Sequence, residues 1–330
     1  MEIAFFEVEK WQEDYLKSKL KGHKLKFFKE HLNGNHLNRI KNVEVLCVFV
    51  YSHITEEVIS KLPRLKVICT MSTGYDHIDI NFCRQKELTV CNAATYAQNT
   101  VAEHTFALIL ALSNKVVESF DRVRKGNLSI EGLTGIDLKD KTMGVVGAGK
   151  IGTNVIKMAK GFSMNVLVYD VIKNKNLAKK FNFKYTNLDY LLRNSDVVSL
   201  HCPLTENNKH MINKKNLGKM KEEAILINTA RGKLIDTVAL ADAVRKGKLW
   251  GVGLDVLENE KEIKKNPKLL FKGKDKILRA ENFLLRQKNV IITAHNAFNS
   301  KESLVRLLDE TIDNIKSFKR GKLNKQCLVC

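Results

Sequence analysis

Proline is scarce in this sequence, with only three among 330 residues. A chain with so little proline has no Pro-rich linker, and it contains no internal repeat or low-complexity segment. No run of about 18 consecutive apolar residues occurs, so we expect no transmembrane helix. The opening residues, MEIAFFEVEKW, lack the basic stretch and cleavage site of a signal peptide and are typical of a first strand. Together these absences predict a cytoplasmic protein that does not bind a membrane.

The seven cysteines follow neither the spacing of a secreted disulfide framework nor that of a zinc site. They occupy positions 47, 69, 83, 91, 202, 327 and 330. Most lie in or beside strand-like runs, where cysteine behaves as a small hydrophobic residue. The terminal CLVC resembles a prenylation signal and a C-x-x-C motif, but chance explains so short a pattern better. We therefore predict no metal site.

Acidic residues are outnumbered, 36 against 56 lysines and arginines, which gives a formal charge of +20. Such an excess raises the question of nucleic-acid binding. The lysines, however, are scattered through every segment and form no stripe interleaved with aromatic residues. A solvated lysine surface is the better interpretation, so we predict no nucleic-acid partner. The positive surface would still attract anionic substrates and cofactors.

Short apolar runs alternate with amphipathic stretches along most of the chain, and 44% of the residues are hydrophobic. This rhythm is typical of parallel sheets with helices on both faces, and the length suits roughly two domains of 100–200 residues. In the first part, the predicted strands are Ile3–Val8, Leu25–Phe28, Val45–Val50, Val67–Thr70 and Thr89–Asn92.

Two helices stand out. The segment NTVAEHTFALILALSNKVVESF, from Asn99 onward, predicts one long helix that is apolar on nearly all sides and therefore buried between layers, domains or subunits. At the other end, residues 300–318 carry leucine and isoleucine at helical spacing, and we expect this helix to cover the first domain.

A glycine motif opens the second half. Strand residues 143–146 precede GAGKIG, in which Gly147, Gly149 and Gly152 form the pattern G-x-G-x-x-G with Lys150 and Ile151 between them. A helical pattern follows, then a strand that ends at Asp170, 23 residues after the first glycine. Strand, loop, helix, strand and acid in this order predict a dinucleotide site, with Asp170 on the ribose diol. Because Asp170 would repel a 2′-phosphate, we expect NAD, although Lys173 and Lys175 lie close enough to weaken that argument.

The segment AILINTARGKLID places one arginine, Arg231, at the end of an apolar strand. Guanidinium does not lose its charge in a protein, so Arg231 must meet an anion. Ligands of open α/β sheets bind at strand ends, so we expect a bound ligand to supply this anion. We expect Gly232 to let the chain turn away without crowding that ligand.

Six segments carry a family resemblance when taken together. STGYDHIDI, NTVAEHTFALILAL, VVSLHCPLTENNKHMIN, AILINTARGKLID, GVGLDVLENE and VIITAHNAF occur in the order found in D-isomer-specific 2-hydroxyacid dehydrogenases, and the chain is most similar to the D-lactate dehydrogenases among them. The resemblance implies two flavodoxin/Rossmann-like doubly wound parallel-sheet domains with a cleft between them. It places a discontinuous substrate domain at 1–98 and 296–330, an NAD-binding domain at 99–295, and a homodimer contact on the helix that starts near Asn99.

The same resemblance assigns roles to residues. It makes Arg231 the residue that binds and polarises the substrate, His295 the acid/base, and Glu260 its carboxylate partner. Further cofactor residues are implied at His201, Cys202, Pro203, Thr205, Thr229, Ala230 and Asp255, with Arg231 beside them. Substrate residues are implied at Tyr51, Ser72, Thr73, Gly74, Tyr96 and Phe298, together with Arg231 and His295. Both tyrosines could equally be core aromatics, and His53, His77, His104 and His210 are interpreted as structural.

Some residues depart from the family pattern: Ala294 replaces the usual proline before the histidine, Ala97-Gln98-Asn99 replaces Ser-Pro-Asn, and Asn296 and Asn299 are unusual. None removes a charged catalytic group, so they bear on substrate identity.

The chemistry implied is reduction of a small 2-oxo acid to its D-2-hydroxy acid, with pyruvate and D-lactate as the first expectation. Hydride transfer needs a fixed carboxylate, which a guanidinium fork provides, and a proton donor near neutral pH, which histidine provides. Glu260 would favour the imidazolium form. Glyoxylate/hydroxypyruvate reduction is the closest alternative, and a non-enzymatic NAD sensor resembling the dehydrogenase-like corepressors is the other.

Overall fold

Strands and helices alternate along the computed structural model, which describes residues 1–323 and 327–330. The twelve strands of this described part are β1 Glu2–Phe6, β2 Lys24–Phe28, β3 Val45–Val48, β4 Val67–Thr70, β5 Thr89–Asn92, β6 Thr142–Val146, β7 Asn165–Tyr169, β8 Lys184–Tyr185, β9 Val197–Leu200, β10 Ala224–Asn228, β11 Leu249–Leu254 and β12 Val290–Ile292.

The α-helices in the same part of the chain are α1 Lys10–Lys19, α2 Gly34–Ile40, α3 Glu56–Ser60, α4 Ile80–Gln85, α5 Gln98–Ser113, α6 Val116–Arg124, α7 Lys150–Gly161, α8 Lys175–Phe181, α9 Leu188–Asn194, α10 Lys214–Lys219, α11 Thr237–Arg245, α12 Glu260–Lys265, α13 Leu269–Lys272, α14 Lys276–Leu285 and α15 Lys301–Lys319. Short 3-10 helices lie at Glu206–Asn208 and Gly232–Leu234. The chain divides into two compact units, which we call unit 1 (Met1–Ala97 with Asn299–Cys330) and unit 2 (Gln98–Phe298).

Unit 1 contains a five-stranded parallel sheet in the order β2-β1-β3-β4-β5. Its inner strands β3 and β4 are buried at every residue, as expected when helices cover both faces of a parallel sheet. The long closing helix α15 begins after Ser300, whose hydroxyl accepts a hydrogen bond from Ser303 N. Leu307, Leu308 and Ile312 lie on its buried side, and it packs on β4, as the sequence pattern indicated.

The terminal CLVC segment belongs to unit 1 as well. Cys91 and Leu328 form an antiparallel bridge, and Val329 N donates to Val90 O at 2.8 Å. Cys327 is buried there. All seven cysteines are free thiols in the described part of the chain, and packing in the core is the role that the sequence assigned to most of them.

Unit 2 contains a seven-stranded parallel sheet in the order β12-β11-β10-β9-β6-β7-β8. The strand order reverses between β9 and β6, and ligands of doubly wound sheets bind at such a reversal. β10, AILIN, is buried at all five residues and lies near the middle of the sheet. The central position explains why its sequence is continuously apolar instead of alternating.

The expectation of one long helix from Asn99 to Phe120 is wrong. The segment forms two helices, α5 and α6, with Lys115 in the left-handed region at φ +50° between them. Ile136 N donates to the carbonyl of Ser113 at 2.9 Å, so the last turn of α5 is satisfied by another segment and not by a continuing helix. Helix α5 packs on α7, β10 and β11 within unit 2, which accounts for its apolar sides.

Among the residues that the structure describes, no helix is long and apolar enough to cross a membrane. The cytoplasmic location stays a prediction.

Candidate active site

The glycine motif follows β6 and leads directly into α7, as the sequence predicted. Gly147 has φ +96°, and a Cβ atom there would lie 2.8 Å from backbone atoms of His201 and Cys202. A Cβ atom at Gly152 would overlap the carbonyl oxygen of Gly147. Gly149 is different, because nothing lies within 4 Å of its Cβ position. Two glycines are therefore required by packing, while the third leaves open space above the first turn of α7, where a diphosphate fits.

Asp170 stands at the end of β7 and is bound to the glycine loop. Its carboxylate accepts from Ala148 N at 2.6 Å and from Ile172 N at 2.8 Å. These bonds fix the carboxylate beside the loop and leave lone pairs for the hydroxyls of a ribose. Lys150 is exposed and Ile151 half-buried at the start of α7. The arrangement of the loop and this acid fits a dinucleotide.

The loop after β9 runs beside the glycine motif. His201 N donates to Val146 O at 2.7 Å, and the His201 ring meets the hydroxyl of Ser199 at 2.8 Å. Burial lowers the pKa of His201 to about 3, so this ring is neutral at physiological pH. Burial raises the pKa of the Cys202 thiol to about 11, which makes it unreactive.

Asn208 closes this loop with its side-chain amide. It donates to Pro203 O at 2.7 Å and accepts from Thr205 N at 2.7 Å. The two predicted cofactor residues Pro203 and Thr205 are thereby held in one turn beside the end of β9.

Arg231 lies just beyond β10, half-buried and in extended conformation. Asn228 fixes the intervening turn because its side chain donates to Arg231 O at 2.9 Å and accepts from Ala230 N at 3.0 Å. One guanidinium nitrogen, Nη1, donates to Ala230 O at 2.8 Å. Thr229 is buried, and its hydroxyl meets that of Thr105 on α5 at 3.1 Å.

Gly232 allows a close approach between two backbone segments. A Cβ atom at this position would overlap the carbonyl of Leu257. We expected Gly232 to leave room for the ligand; the structure gives a different reason, namely contact with the loop that leads to Glu260. The segment carrying Arg231 and the segment carrying Glu260 are therefore in direct backbone contact.

His295 and Glu260 form a hydrogen-bonded pair. His295 Nδ1 lies 2.6 Å from Glu260 Oε1, although 35 residues separate them in the chain. Glu260 is the first residue of α12, and the same oxygen, Oε1, also accepts an ion pair from Lys264 one turn later. Burial by itself raises the pKa of Glu260, but the hydrogen bond and charge of His295, together with those of Lys264, outweigh burial and lower that pKa. Glu260 is therefore ionised and can only accept, so Nδ1 carries the proton.

The loop that carries His295 is held by Asp255, which is almost fully buried at 1% exposure. Its carboxylate accepts from Thr293 Oγ1 at 2.6 Å, from Asn296 N at 3.0 Å and from Ala297 N at 2.9 Å. His295 itself has φ +54°, an uncommon conformation for a non-glycine residue. The bonds on both sides of His295 stabilise this strained conformation.

Sequence reasoning missed His104 as a member of this network. Its Nε2 lies 3.1 Å from Thr293 Oγ1 and 3.5 Å from Asp255. We interpreted His104 as a packing or interface residue, and its position on an apolar helix gave no signal of this contact.

Two more residues that sequence reasoning did not select support the Glu260 segment. Glu281 on α14 is fully buried and accepts from Asn259 N at 3.1 Å. His210 Nε2 lies 2.6 Å from Glu258 Oε1, and the side chain of Glu258 is only 4% exposed. Neither contact has a sequence signal, because no motif marks Glu281 and His210 was interpreted as structural.

The predicted substrate residues of unit 1 follow β4 and β5. Ser72 Oγ donates to Gly74 O at 2.6 Å, and Thr73 Oγ1 donates to Ala93 O at 3.0 Å. These bonds order the turn so that its backbone has a fixed conformation.

The two predicted tyrosines differ in environment. Tyr51 is 47% exposed and stands edge-on to Phe49, with 6.0 Å between ring centroids. Tyr96 is buried at 4% exposure, and its carbonyl accepts from Arg306 Nε at 2.8 Å. A purely core role therefore suits Tyr96 better than Tyr51. Phe298, the last residue of unit 2, is half-buried. In the described part of the chain no cluster of His, Cys, Asp or Glu could hold a metal ion.

Comparison with known proteins agrees with this geometry. The family model for the D-isomer-specific 2-hydroxyacid dehydrogenase NAD-binding domain matches residues 106–297. A 2-hydroxyacid dehydrogenase homolog of Haemophilus influenzae is 34% identical over 327 residues, which cover 98% of each chain. A glyoxylate reductase of Korarchaeum cryptofilum is 35% identical over 291 residues, covering 87% of this chain and 83% of the relative.

Among solved structures, D-lactate dehydrogenase from Aquifex aeolicus, complexed with NAD and lactic acid, is 41% identical with a TM-score of 0.88; the match covers 99% of this chain and 98% of that one. Because the match covers nearly the whole chain, both sheets and their Rossmann-like topology have counterparts in a solved structure. The chain belongs to the D-isomer-specific 2-hydroxyacid dehydrogenases and is an oxidoreductase whose cofactor is NAD.

Proposed function

We propose that this enzyme reduces pyruvate to D-lactate, with His295 as the acid/base, Glu260 as its partner and Arg231 as the residue that binds and polarises the substrate. The observation that carries the proposal is the 2.6 Å contact between His295 Nδ1 and Glu260 Oε1. An ionised, half-buried carboxylate on one ring nitrogen fixes the tautomer and leaves the other nitrogen for the reaction.

His295 would act through Nε2. Because Nδ1 donates to the ionised Glu260, the neutral ring has its lone pair on Nε2, and the imidazolium has a proton there. The imidazolium gives this proton to the carbonyl oxygen during reduction, and the neutral ring removes it during oxidation. When bound, the cofactor would supply the hydride for reduction as NADH and accept it for oxidation as NAD⁺. Glu260 stabilises the positive charge of the imidazolium and sets the orientation of the ring.

Arg231 would bind the substrate carboxylate. A guanidinium group offers two parallel N–H donors, which hold a carboxylate in one orientation and place the adjacent carbonyl carbon for hydride transfer. The bond from Nη1 to Ala230 O restrains the side chain before substrate arrives. Positive charge near the carbonyl oxygen also stabilises the negative charge that develops on it.

The remaining roles are proposals of the same kind. In unit 2, the glycine loop with Asp170 and the loops at His201–Thr205 and Thr229–Ala230 would hold the dinucleotide, and Asp255 the nicotinamide carboxamide. For Asp255 the structure adds a second role, because its oxygens hold the His295 loop. In unit 1, Tyr51, Ser72–Gly74 and Tyr96 would contact substrate, as would Phe298 of unit 2.

Pyruvate is proposed first because the Aquifex aeolicus relative is a D-lactate dehydrogenase with lactic acid bound. Glyoxylate reduction is the second candidate, since the Korarchaeum cryptofilum relative is a glyoxylate reductase. The test is to measure kcat/KM with NADH and a panel of pyruvate, glyoxylate, hydroxypyruvate, 2-oxobutyrate and phenylpyruvate. Pyruvate should give the highest value. A higher value with glyoxylate would replace pyruvate as the substrate, and no turnover with any acid would contradict the proposed reaction.

We also propose a homodimer, with the contact on α6 instead of α5. Helix α6 has no buried residue, and Val116, Phe120 and Val123 are 53%, 58% and 49% exposed. Beyond it, Leu128 and Ile130 are 79% and 84% exposed. A row of exposed apolar side chains on one short segment is typical of a subunit interface.

Light scattering tests this surface. The unaltered protein should have the mass of a dimer, and Phe120→Glu should have the mass of a monomer. An unchanged mass in Phe120→Glu would exclude α6 as the interface.

A further inference from the structure

One carboxylate oxygen in the site is shared by two cationic side chains. Glu260 Oε1 contacts His295 Nδ1 at 2.6 Å and also forms the ion pair with Lys264. Lys264 follows Glu260 by one turn of α12, the spacing at which side chains of a helix meet. The two partners are similarly placed relative to solvent, since the side chains of His295 and Lys264 are 34% and 33% exposed and that of Glu260 is 21% exposed.

The backbone that carries this carboxylate is anchored. Glu260 opens α12, and the preceding Asn259 donates its backbone N–H to the fully buried Glu281 at 3.1 Å. The ammonium group of Lys264 partly offsets the negative charge of Glu260 Oε1. It also repels the imidazolium form of His295, which contacts the same oxygen. Both effects disfavour the charged form of His295.

We infer that Lys264 is a positioning residue for the reaction, which limits how strongly Glu260 stabilises the imidazolium of His295 and so sets the pH range of catalysis. This inference rests on the proposed roles of His295 and Glu260. Its effect comes through the Glu260 oxygen that it shares with His295.

The other charged groups around this pair are engaged elsewhere. Glu258 pairs with His210 at 2.6 Å. Asp255 lies 3.5 Å from His104 and accepts from the backbone around His295. Arg231 stands at the end of β10, where we place the substrate carboxylate. None of these contacts involves Lys264.

The test is the pH dependence of Lys264→Met. Reduction requires imidazolium, so kcat/KM for pyruvate falls on the alkaline side of its profile; oxidation requires the neutral ring, so kcat/KM for D-lactate falls on the acid side. Without Lys264 the imidazolium persists to higher pH, and both limbs should move upward by about half a pH unit, the size expected of a partly exposed ion pair. On the alkaline limb this equals a gain of about threefold in the reduction rate.

Two variants control for simpler explanations. Lys265→Met removes the same charge from the next residue of α12, which is exposed, and should leave both limbs in place. Lys264→Arg keeps a cation at the site and should restore the original profile. The shift should also shrink in high salt, because a partly exposed pair is screened.

A shift common to Lys264→Met and Lys265→Met, or no shift in either, would overturn the inference, as would a uniform loss of kcat/KM at all pH values. An NMR titration of the His295 ring in the unaltered protein and in Lys264→Met gives a second reading that needs no substrate. If pyruvate proves not to be a substrate, the NMR midpoint still tests the effect of Lys264. A midpoint of the His295 titration that does not rise in Lys264→Met would contradict the proposed role of Lys264.

Discussion

The carbonyl of Leu257 lies against Gly232 so closely that a Cβ atom at position 232 would overlap it. Gly232 follows Arg231, and Leu257 lies three residues before Glu260. The contact therefore joins the two segments that we propose to bind the substrate and to hold the acid/base.

Gly232→Ala should lower kcat/KM by about 10-fold to 100-fold, because both contacting groups are backbone and must separate by up to about an ångström. Steady-state kinetics with pyruvate and NADH would measure the loss. Gly218→Ala is the matched control, since nothing lies within 4 Å of the Cβ position of Gly218. Equal activity in the two variants would mean that the Gly232 contact has no part in arranging the site.

Arg231→Lys should lower kcat/KM by about 100-fold or more while NADH binding persists. An ammonium group keeps the charge but cannot form the two parallel bonds of the guanidinium fork. Steady-state kinetics would measure the loss of turnover, and NADH fluorescence would measure cofactor affinity. Arg245→Lys, at an exposed ion pair with Asp242 on α11, is the control. Near-normal turnover by Arg231→Lys would refute the proposed role.

His295→Gln should reduce kcat/KM by about 100-fold to 10,000-fold and flatten the alkaline limb of the reduction profile, because the glutamine amide is too weak an acid to donate a proton. Glu260→Gln should cost less and move that limb to lower pH, since a neutral amide stabilises the imidazolium weakly. pH–rate profiles of both variants would measure the flattening in His295→Gln and the shift in Glu260→Gln. An unchanged profile in His295→Gln would assign the proton transfer to another group.

Two glycines of one loop should respond differently to alanine. Gly149→Ala should weaken NADH binding while leaving the melting temperature nearly unchanged, because its Cβ would enter open space that we assign to the diphosphate. Gly152→Ala should lower the melting temperature, because its Cβ would overlap the carbonyl oxygen of Gly147. Calorimetry and NADH titration would separate the two effects. Normal NADH affinity in Gly149→Ala would place the cofactor elsewhere.

Glu281 should make the stability of unit 2 depend on pH. Burial raises the pKa of Glu281 to about 7, and the nearby charges of Glu258 and Asp275 act in the same direction, while the Asn259 N–H opposes them. A carboxyl whose pKa is raised in the folded state stabilises that state while protonated. This contribution is therefore complete below the ordinary pKa of glutamate and is lost as pH rises through about 7. It should amount to about 3 kcal/mol at most.

Glu281→Gln keeps an acceptor for Asn259 N–H and should remove this pH dependence. Urea unfolding between pH 5 and 8, followed by Trp250 fluorescence, would compare the two proteins. A Trp11→Phe background restricts the signal to unit 2, because the sequence contains only two tryptophans. Equal slopes of unfolding free energy against pH in both proteins would show that Glu281 does not cause the pH dependence.

Local patterns predicted much of the fold. β4 and β5 have the bounds that were expected, and the first strand differs only in its ends, Glu2–Phe6 instead of Ile3–Val8. The helix from Asn99 was the error, because its apolar residues continue through a break. At that break Lys115 has φ +50°, and Ile136 N, 23 residues after Ser113, donates to the Ser113 carbonyl, a contact that no local pattern predicts.

What the sequence by itself determined is the parallel α/β architecture, the glycine loop with Asp170, and the residues to which we assign the proposed reaction. These follow from periodicity, from turns that only glycine allows and from charges that must meet a partner. Only the tertiary structure decided two contacts that no motif predicts: His295 and Lys264 share one oxygen of Glu260, and the backbone of Gly232 lies against that of Leu257. The reason is physical: the segments that carry Gly232, Leu257 and His295 follow β10, β11 and β12, which are neighbours in the sheet although they are far apart along the chain.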